Sequence, residues 1–128
     1  MPIRPSLSIT PPADTTATVA DCLFCKIIRG EIPAKVIYQT ETVTVFEDIA
    51  PQAPVHLLII ANQHTPSHLK TDDASIYQAL LSTAKTVAQA MQLEDYRLII
   101  NNGAGAGQSV FHLHLHLLAG RSLQWPPG

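Results

Sequence analysis

The sequence predicts an α+β domain, with an antiparallel five-stranded sheet, one long helix and a short N-terminal helix. Three observations lead there. Short β-prone runs are joined by short loops, with helical segments inserted between them. One segment repeats its apolar residues at the helical period. The last run alternates histidine and leucine residue by residue, which is a strand pattern. The chain has 128 residues, one domain's worth and too few for a TIM barrel or a two-domain dinucleotide enzyme. With 46% hydrophobic residues against 14% charged, it can bury a core without disulfide staples.

The elements follow in chain order. Residues 1–20 are rich in Pro, Thr, Ser and Ala, and Pro2, Pro5, Pro11 and Pro12 work against regular structure, so this segment reads as a flexible tail. The domain itself is expected over 21–128. Cys22 to Arg29 is the short helix, with Asp21 as its cap and Gly30 as its stop. Val36-Ile37-Tyr38 and Val43-Thr44-Val45-Phe46 flank a polar Thr40-Glu41 turn and form a hairpin. Asp48 to Pro54 is a loop, and Val55 to Ile60 is a central strand, apolar on both faces. Ile76, Leu80, Ala84, Val87 and Met91 mark one face of a helix from about Asp72 to Leu93, capped by Thr71 or Asp72. Tyr96 to Ile100 is the fourth strand, Asn101 to Gly107 a glycine loop, and Val110 to Leu118 the fifth strand.

Bulk properties exclude several function classes. The net charge is −2, and the lysines and arginines are scattered singly, so no basic stripe exists to track a nucleic-acid polymer. Aromatic residues, at 5%, are too few for base-stacking platforms. The longest purely apolar run is Leu57 to Ala61, far short of the roughly 20 residues that cross a membrane. Arg4 is followed by no apolar stretch of the secretory kind. The two cysteines form one C-x-x-C pair, which points to a reducing, cytoplasmic setting and to metal or redox use more than to a disulfide. The low charge suggests that a partner, such as a second copy, covers some apolar surface. Six histidines beside eight lysines and arginines are the unusual count.

Three of them lie in His112-Leu113-His114-Leu115-His116-Leu117-Leu118. On a strand, the three imidazoles share one face and the leucines the other. Three alternating rings each need a polar partner, which disfavours a purely structural role. Two chemistries want such a row. His-x-His can offer two nitrogens to zinc. A neutral imidazole is also a good nucleophile near pH 7, with neighbouring rings donating to phosphate oxygens. Asn101-Asn102-Gly103-Ala104-Gly105-Ala106-Gly107-Gln108-Ser109 runs straight into the row. Such a loop can aim backbone N–H groups at an anion, although it lacks the Gly-Lys-Ser/Thr of a Walker loop. Cys22 and Cys25 can close half of a tetrahedral zinc site, act as a redox pair, or simply be two small buried apolar residues.

The pattern His-Leu-His-Leu-His-Leu-Leu resembles the histidine triad (HIT) superfamily motif, three histidines alternating with apolar residues. Gly107-Gln108-Ser109-Val110-Phe111 and Trp125-Pro126-Pro127-Gly128 look like its Hint branch, as do Ile32-Pro33-Ala34-Lys35, Asp48-Ile49, Pro51-Gln52-Ala53-Pro54 and His56. The likeness spans about Asp21 to Gly128. It implies a phosphoramidase that cleaves the P–N bond of purine nucleoside 5′-phosphoramidates and needs no cofactor for the chemistry. His114 would attack the α-phosphorus, and His116 would hold a phosphate oxygen or assist the leaving group. His112 and His56 would support the site. Asn101, Gly107, Gln108 and Ser109 would surround the phosphate, and Asp48 would accept from the ribose hydroxyls. Ile27, Phe46, Ile49 and Leu58 would form the slot for the base. The superfamily further implies a structural zinc on Cys22, Cys25, His64 and His112, and a homodimer with a continuous sheet. Trp125 would then lie near the partner, or would fold back on its own domain. His68 is expected at the surface. The competing functions are a zinc hydrolase using the triad as ligands, a nucleotide-binding regulatory module with little turnover, and a dinucleoside polyphosphate hydrolase.

Overall fold

One strand in the middle of the sheet explains most of the architecture. The computed structural model describes residues 21–68 and 72–128, so the 1–20 tail and the candidate cap Thr71 lie outside the described residues. The elements run α1 (Leu23–Ile28), β1 (Val36–Gln39), β2 (Val43–Glu47), β3 (Val55–Ala61), α2 (Ala74–Ala90), β4 (Tyr96–Ile99) and β5 (His114–Ala119). The strands form one five-stranded sheet in the order β1-β2-β3-β5-β4. Every neighbouring pair is antiparallel. All seven residues of β3 are buried, as its unbroken apolar run requires of a central strand.

The two faces are covered differently. Leu57 pairs with Leu117 and Ile59 with Leu115, so these side chains share one face. Leu80, Ala84, Val87 and Met91 of α2 pack on that face in the main core. On the other face His116 pairs with Leu58, His114 with Ile60 and His56 with Leu118. Here the cover is the short α1, whose Phe24, Ile27 and Ile28 pack with Phe46, Leu58 and Ile60 in a second cluster. The strand alternation therefore divides the molecule into a helix-backed leucine face and a histidine face.

Three boundaries depart from expectation. α1 is capped by Cys22, whose sulfur accepts from the Cys25 N–H, and not by Asp21. The α2 cap is Asp73, accepting from the Ser75 N–H, in place of Thr71 or Asp72. β5 starts at His114 and not at Val110. The reason is local competition for the backbone. The Val110 carbonyl accepts from the Gln108 side chain. The Leu113 N–H donates to the Thr65 carbonyl at 2.6 Å. These partners hold 110–113 out of the regular ladder. Beyond β5 the chain turns at Gly120, with φ +94°, where a Cβ would sit 2.9 Å from that of Pro54. Only glycine fits there.

Candidate functional site

The histidines of the polar face form a continuous row of rings. His64 and His112 lie 5.1 Å apart between centroids, His114 and His116 5.0 Å, and His116 and His56 5.2 Å. Phe24 bridges the row edge-on, 5.8 Å from His112 and 5.1 Å from His114. The expected shared face thus survives the late start of β5, because His112 still turns to the α1 side.

His114 is buried, with 7% of its surface exposed. Its Nδ1 donates to the His112 carbonyl at 2.6 Å. A carbonyl can only accept, so the ring carries its hydrogen on Nδ1 and leaves a lone pair on Nε2. Burial pushes its pKa below the ordinary value, against the pull of that carbonyl and of Asp48. A neutral imidazole with a bare nitrogen is a nucleophile at neutral pH. Burial likewise lowers His116, to about 4, with His114 and His56 adding to it and Asp48 opposing.

His56 enters this site from β3, opposite Leu118. Its Nε2 lies 2.9 Å from His116 Nδ1 and 3.4 Å from Asp48 Oδ2. The loop between β2 and β3 closes on it. The Asp48 N–H donates to the His56 carbonyl at 3.0 Å, and the Gln52 N–H donates to His56 Nδ1 at 3.0 Å. Asp48 Oδ1 accepts from the Ala50 N–H at 2.8 Å, leaving this half-buried carboxylate firmly oriented. A cavity of about 650 Å³ opens beside His56, His116, Gln52 and Asn101. Arg97 reaches its wall, where the guanidinium donates to the Gln124 carbonyl at 2.9 Å. A larger hollow of about 900 Å³ lies between the turn after α2 and residues 120–123, but no histidine lines it.

The glycine loop contains a 3-10 turn, Ala104–Ala106, and Gly107 has φ +101°. Asn101 lies against Gly107, its Nδ2 3.6 Å from where a Cβ would stand. Ser109 is exposed. Gln108 is placed differently from the expected phosphate contact. It is buried, its Oε1 accepts from the Gly103 N–H, and its Nε2 donates to the Pro66 and Val110 carbonyls. Its side chain shapes the loop, because a buried amide must satisfy its own polar atoms first. Of the four residues expected to form the slot, Ile27, Phe46 and Leu58 meet in the second apolar cluster. Ile49 stands apart from them at 98% exposure.

Cys22, Cys25, His64 and His112 converge at the other end of the row, their ligand atoms within 4.8 Å of one another. Cys22 Sγ is 3.3 Å from His112 Nδ1, and Cys25 Sγ is 3.4 Å from His64 Nδ1 and 3.5 Å from His112 Nδ1. Tetrahedral zinc, with its usual bond lengths to sulfur and nitrogen, sets such edges near about 3.5 Å. His112 Nε2 contacts the Ala61 carbonyl, which fixes its hydrogen there and frees Nδ1 as a ligand atom. Burial lowers the His112 pKa to about 4 and also lowers that of His64, so both are neutral, as ligation requires. The residue set fits a structural zinc. Asp48, His56 and His116 form a second group of mutually close donors.

Residues 29–123 match the HIT domain family. The chain belongs to that family. An uncharacterized HIT-like protein of Synechocystis is 49% identical over 111 residues, covering 84% of this chain and 97% of its own. Among solved structures, a HIT family hydrolase from Legionella pneumophila is similar at TM-score 0.81 and 46% identity, with 84% of this chain and 100% of that one covered. A histidine triad nucleotide-binding protein from Candida albicans is similar at TM-score 0.74 and 32% identity, covering 83% of each. Within the described residues of this HIT chain, no helix is long and apolar enough to cross a membrane. His68 is exposed, as expected, and its Nδ1 meets the Tyr77 hydroxyl at 2.8 Å. Phe24 and the Gln52 amide also border the HIT site, beyond the residues expected from the sequence. Phe24 had a signal, since it sits between the two cysteines that bring α1 to the row. The Gln52 contact is made by main chain and leaves no trace in residue type.

Proposed function

We propose that this HIT protein is a hydrolase of the Hint type, cleaving the P–N bond of purine nucleoside 5′-phosphoramidates. The observation that carries the reading is the state of His114: a buried, neutral ring with its hydrogen tied to a carbonyl and Nε2 bare beside His116. Nε2 attacks the α-phosphorus, the P–N bond to the amine breaks, and the amine leaves having gained a proton from a water molecule. The Nδ1–H contact to the His112 carbonyl then stabilises the positive charge of the nucleotidyl-imidazolium. Water cleaves that adduct, giving the nucleoside monophosphate and free His114. His116 donates to a phosphate oxygen. Asn101, Gly107 and Ser109 border the phosphate, Asp48 accepts from the ribose, and Ile27, Phe46, Leu58 and the exposed Ile49 flank the base. The names of the Legionella and Candida relatives, a hydrolase and a nucleotide-binding protein, are consistent with this reading.

The same proposal places a structural zinc on Cys22, Cys25, His64 and His112, bound in a reducing cytoplasm. It also pairs two chains into a homodimer along the free edge of β4. Tyr96 and Ile100 are exposed beside that edge, and Trp125 is 82% exposed. The test is turnover of a fluorogenic adenosine phosphoramidate. His114→Ala is expected to lose at least about 10³-fold in kcat, the scale of deleting a nucleophile. Full activity in that variant would sink the covalent route through His114 and favour a metal hydrolase, whereas negligible turnover by the wild type would favour a binding module. Zinc analysis of Cys22→Ser and Cys25→Ser proteins tests the metal, which should be lost with the thiols. Zinc retained on the triad would favour the metal hydrolase.

A further inference from the structure

We infer that the main-chain amide of Gln52 sets the proton positions of the active-site pair His56 and His116, and that His116 thereby presents a fixed Nε2–H donor to the cavity. A backbone amide always has a hydrogen to give and does not titrate. The Gln52 N–H gives it to His56 Nδ1 at 3.0 Å. Nδ1 must therefore carry a lone pair, and neutral His56 must carry its hydrogen on Nε2. The two atoms facing that Nε2, His116 Nδ1 at 2.9 Å and Asp48 Oδ2 at 3.4 Å, are then both acceptors. With Nδ1 accepting, neutral His116 holds its own hydrogen on Nε2. One non-titrating amide thus decides two tautomers in series.

The surrounding loop keeps that amide in place. Pro51 and Pro54 restrict the backbone on either side of Gln52. The Arg121 guanidinium donates to the Gln52 carbonyl at 2.9 Å. The Gln52 side chain is exposed and donates to the Ala50 carbonyl at 3.0 Å. Gln52 is accordingly a positioning residue that acts through its main chain.

Two consequences follow. His116 can donate to an oxygen while uncharged. Asp48, His56 and His116, although close enough together to resemble a cation site, do not take a divalent ion, because His56 Nε2 is occupied by hydrogen. That the acceptor is a phosphate oxygen rests on the proposed function; the proton placement does not.

Two-bond 1H–15N correlation of the full chain with 15N-labelled histidine, at pH 7, reads the tautomers directly. The expected result is a single Nε2–H tautomer for both His56 and His116. An Nδ1–H or averaged pattern for either would overturn the inference. Gln52→Pro deletes the amide hydrogen along with the exposed side chain, whose loss Gln52→Ala controls for. It should mix both tautomers and lower kcat roughly tenfold or more at nearly unchanged KM, toward the 10²–10³-fold cost of losing a preorganised donor. Gln52→Ala keeps the amide and should do neither. If Gln52→Pro fails to fold, the wild-type spectrum still decides. In Cys22→Ser/Cys25→Ser protein, added zinc should leave the His56 and His116 signals unmoved; zinc-shifted signals would contradict the assignment. A His114→Ala variant with full turnover would remove the proposed route through His114 while leaving the tautomer result standing.

Discussion

Three imidazoles of the row are each held by a main-chain group whose hydrogen-bonding role cannot change. His112 and His114 each face a carbonyl, and His56 faces an amide. The row can therefore work with neutral rings, and its pH dependence follows. The pKa of His116 falls from 6.5 to about 4, chiefly through burial. For turnover, kcat/KM should stay level as the pH drops through 6.5 and fall only toward about 4. A profile already half-lost near 6.5 would contradict a buried, neutral site. The sign for stability is also fixed. The folded value lies below the unfolded one, so the unfolded chain binds more protons between those two pH values. The contribution is present above 6.5 and is lost as the pH falls through the window to about 4. Urea melts at several pH values should show it, and His116→Asn should flatten that slope.

At the scale of the element, β5 does two jobs on its two faces. Leu115 is fully buried against β3 and the α2 side. Leu115→Ala should cost about 2–5 kcal/mol of stability, read by denaturant unfolding. His114→Ala should cost less stability and abolish turnover, so the two faces separate in a single pair of melts and assays. This division was legible in the sequence, because alternation alone assigns leucines and histidines to opposite faces. The five strands, the α2 stripe and the convergence of Cys22, Cys25, His64 and His112 were legible too, the last through family resemblance. What was not legible depends on main-chain partners and on shared capping roles. The late start of β5 comes from Thr65 and Gln108 competing for the backbone of 110–113. Cys22 took the α1 cap because its sulfur can accept from the Cys25 amide while facing His112. The family resemblance placed Gln108 beside the phosphate, yet its buried side-chain amide is spent on the loop that bears Ser109. Ile49 follows Asp48 in sequence, but only the other three expected base-slot residues meet in the cluster under α1.

Across the whole molecule, a row of polar rings joins two proposed sites that share His112. Its side chain meets the thiols of α1, and its carbonyl holds the His114 ring. Removing zinc from the proposed site should therefore be felt as stability. At free zinc a hundred times its Kd the bound ion adds about 2.7 kcal/mol, so chelation should lower the Tm and re-addition should restore it. An unchanged Tm would mean that no ion ties α1 to the sheet. Gly120, at the far end of β5, offers a control remote from the thiols. Gly120→Ala meets both a left-handed backbone and Pro54, and should destabilise by more than about 1 kcal/mol without altering the metal content. The central claim is that His114 becomes covalently nucleotidylated during turnover. The direct measurement is the intact mass of the protein quenched in mid-turnover with an adenosine 5′-phosphoramidate, followed by peptide mapping. The account predicts a mass gain of one adenylyl group on His114 that is absent from His114→Ala protein. Steady turnover with the adduct on another residue, or undiminished turnover by His114→Ala, would contradict it.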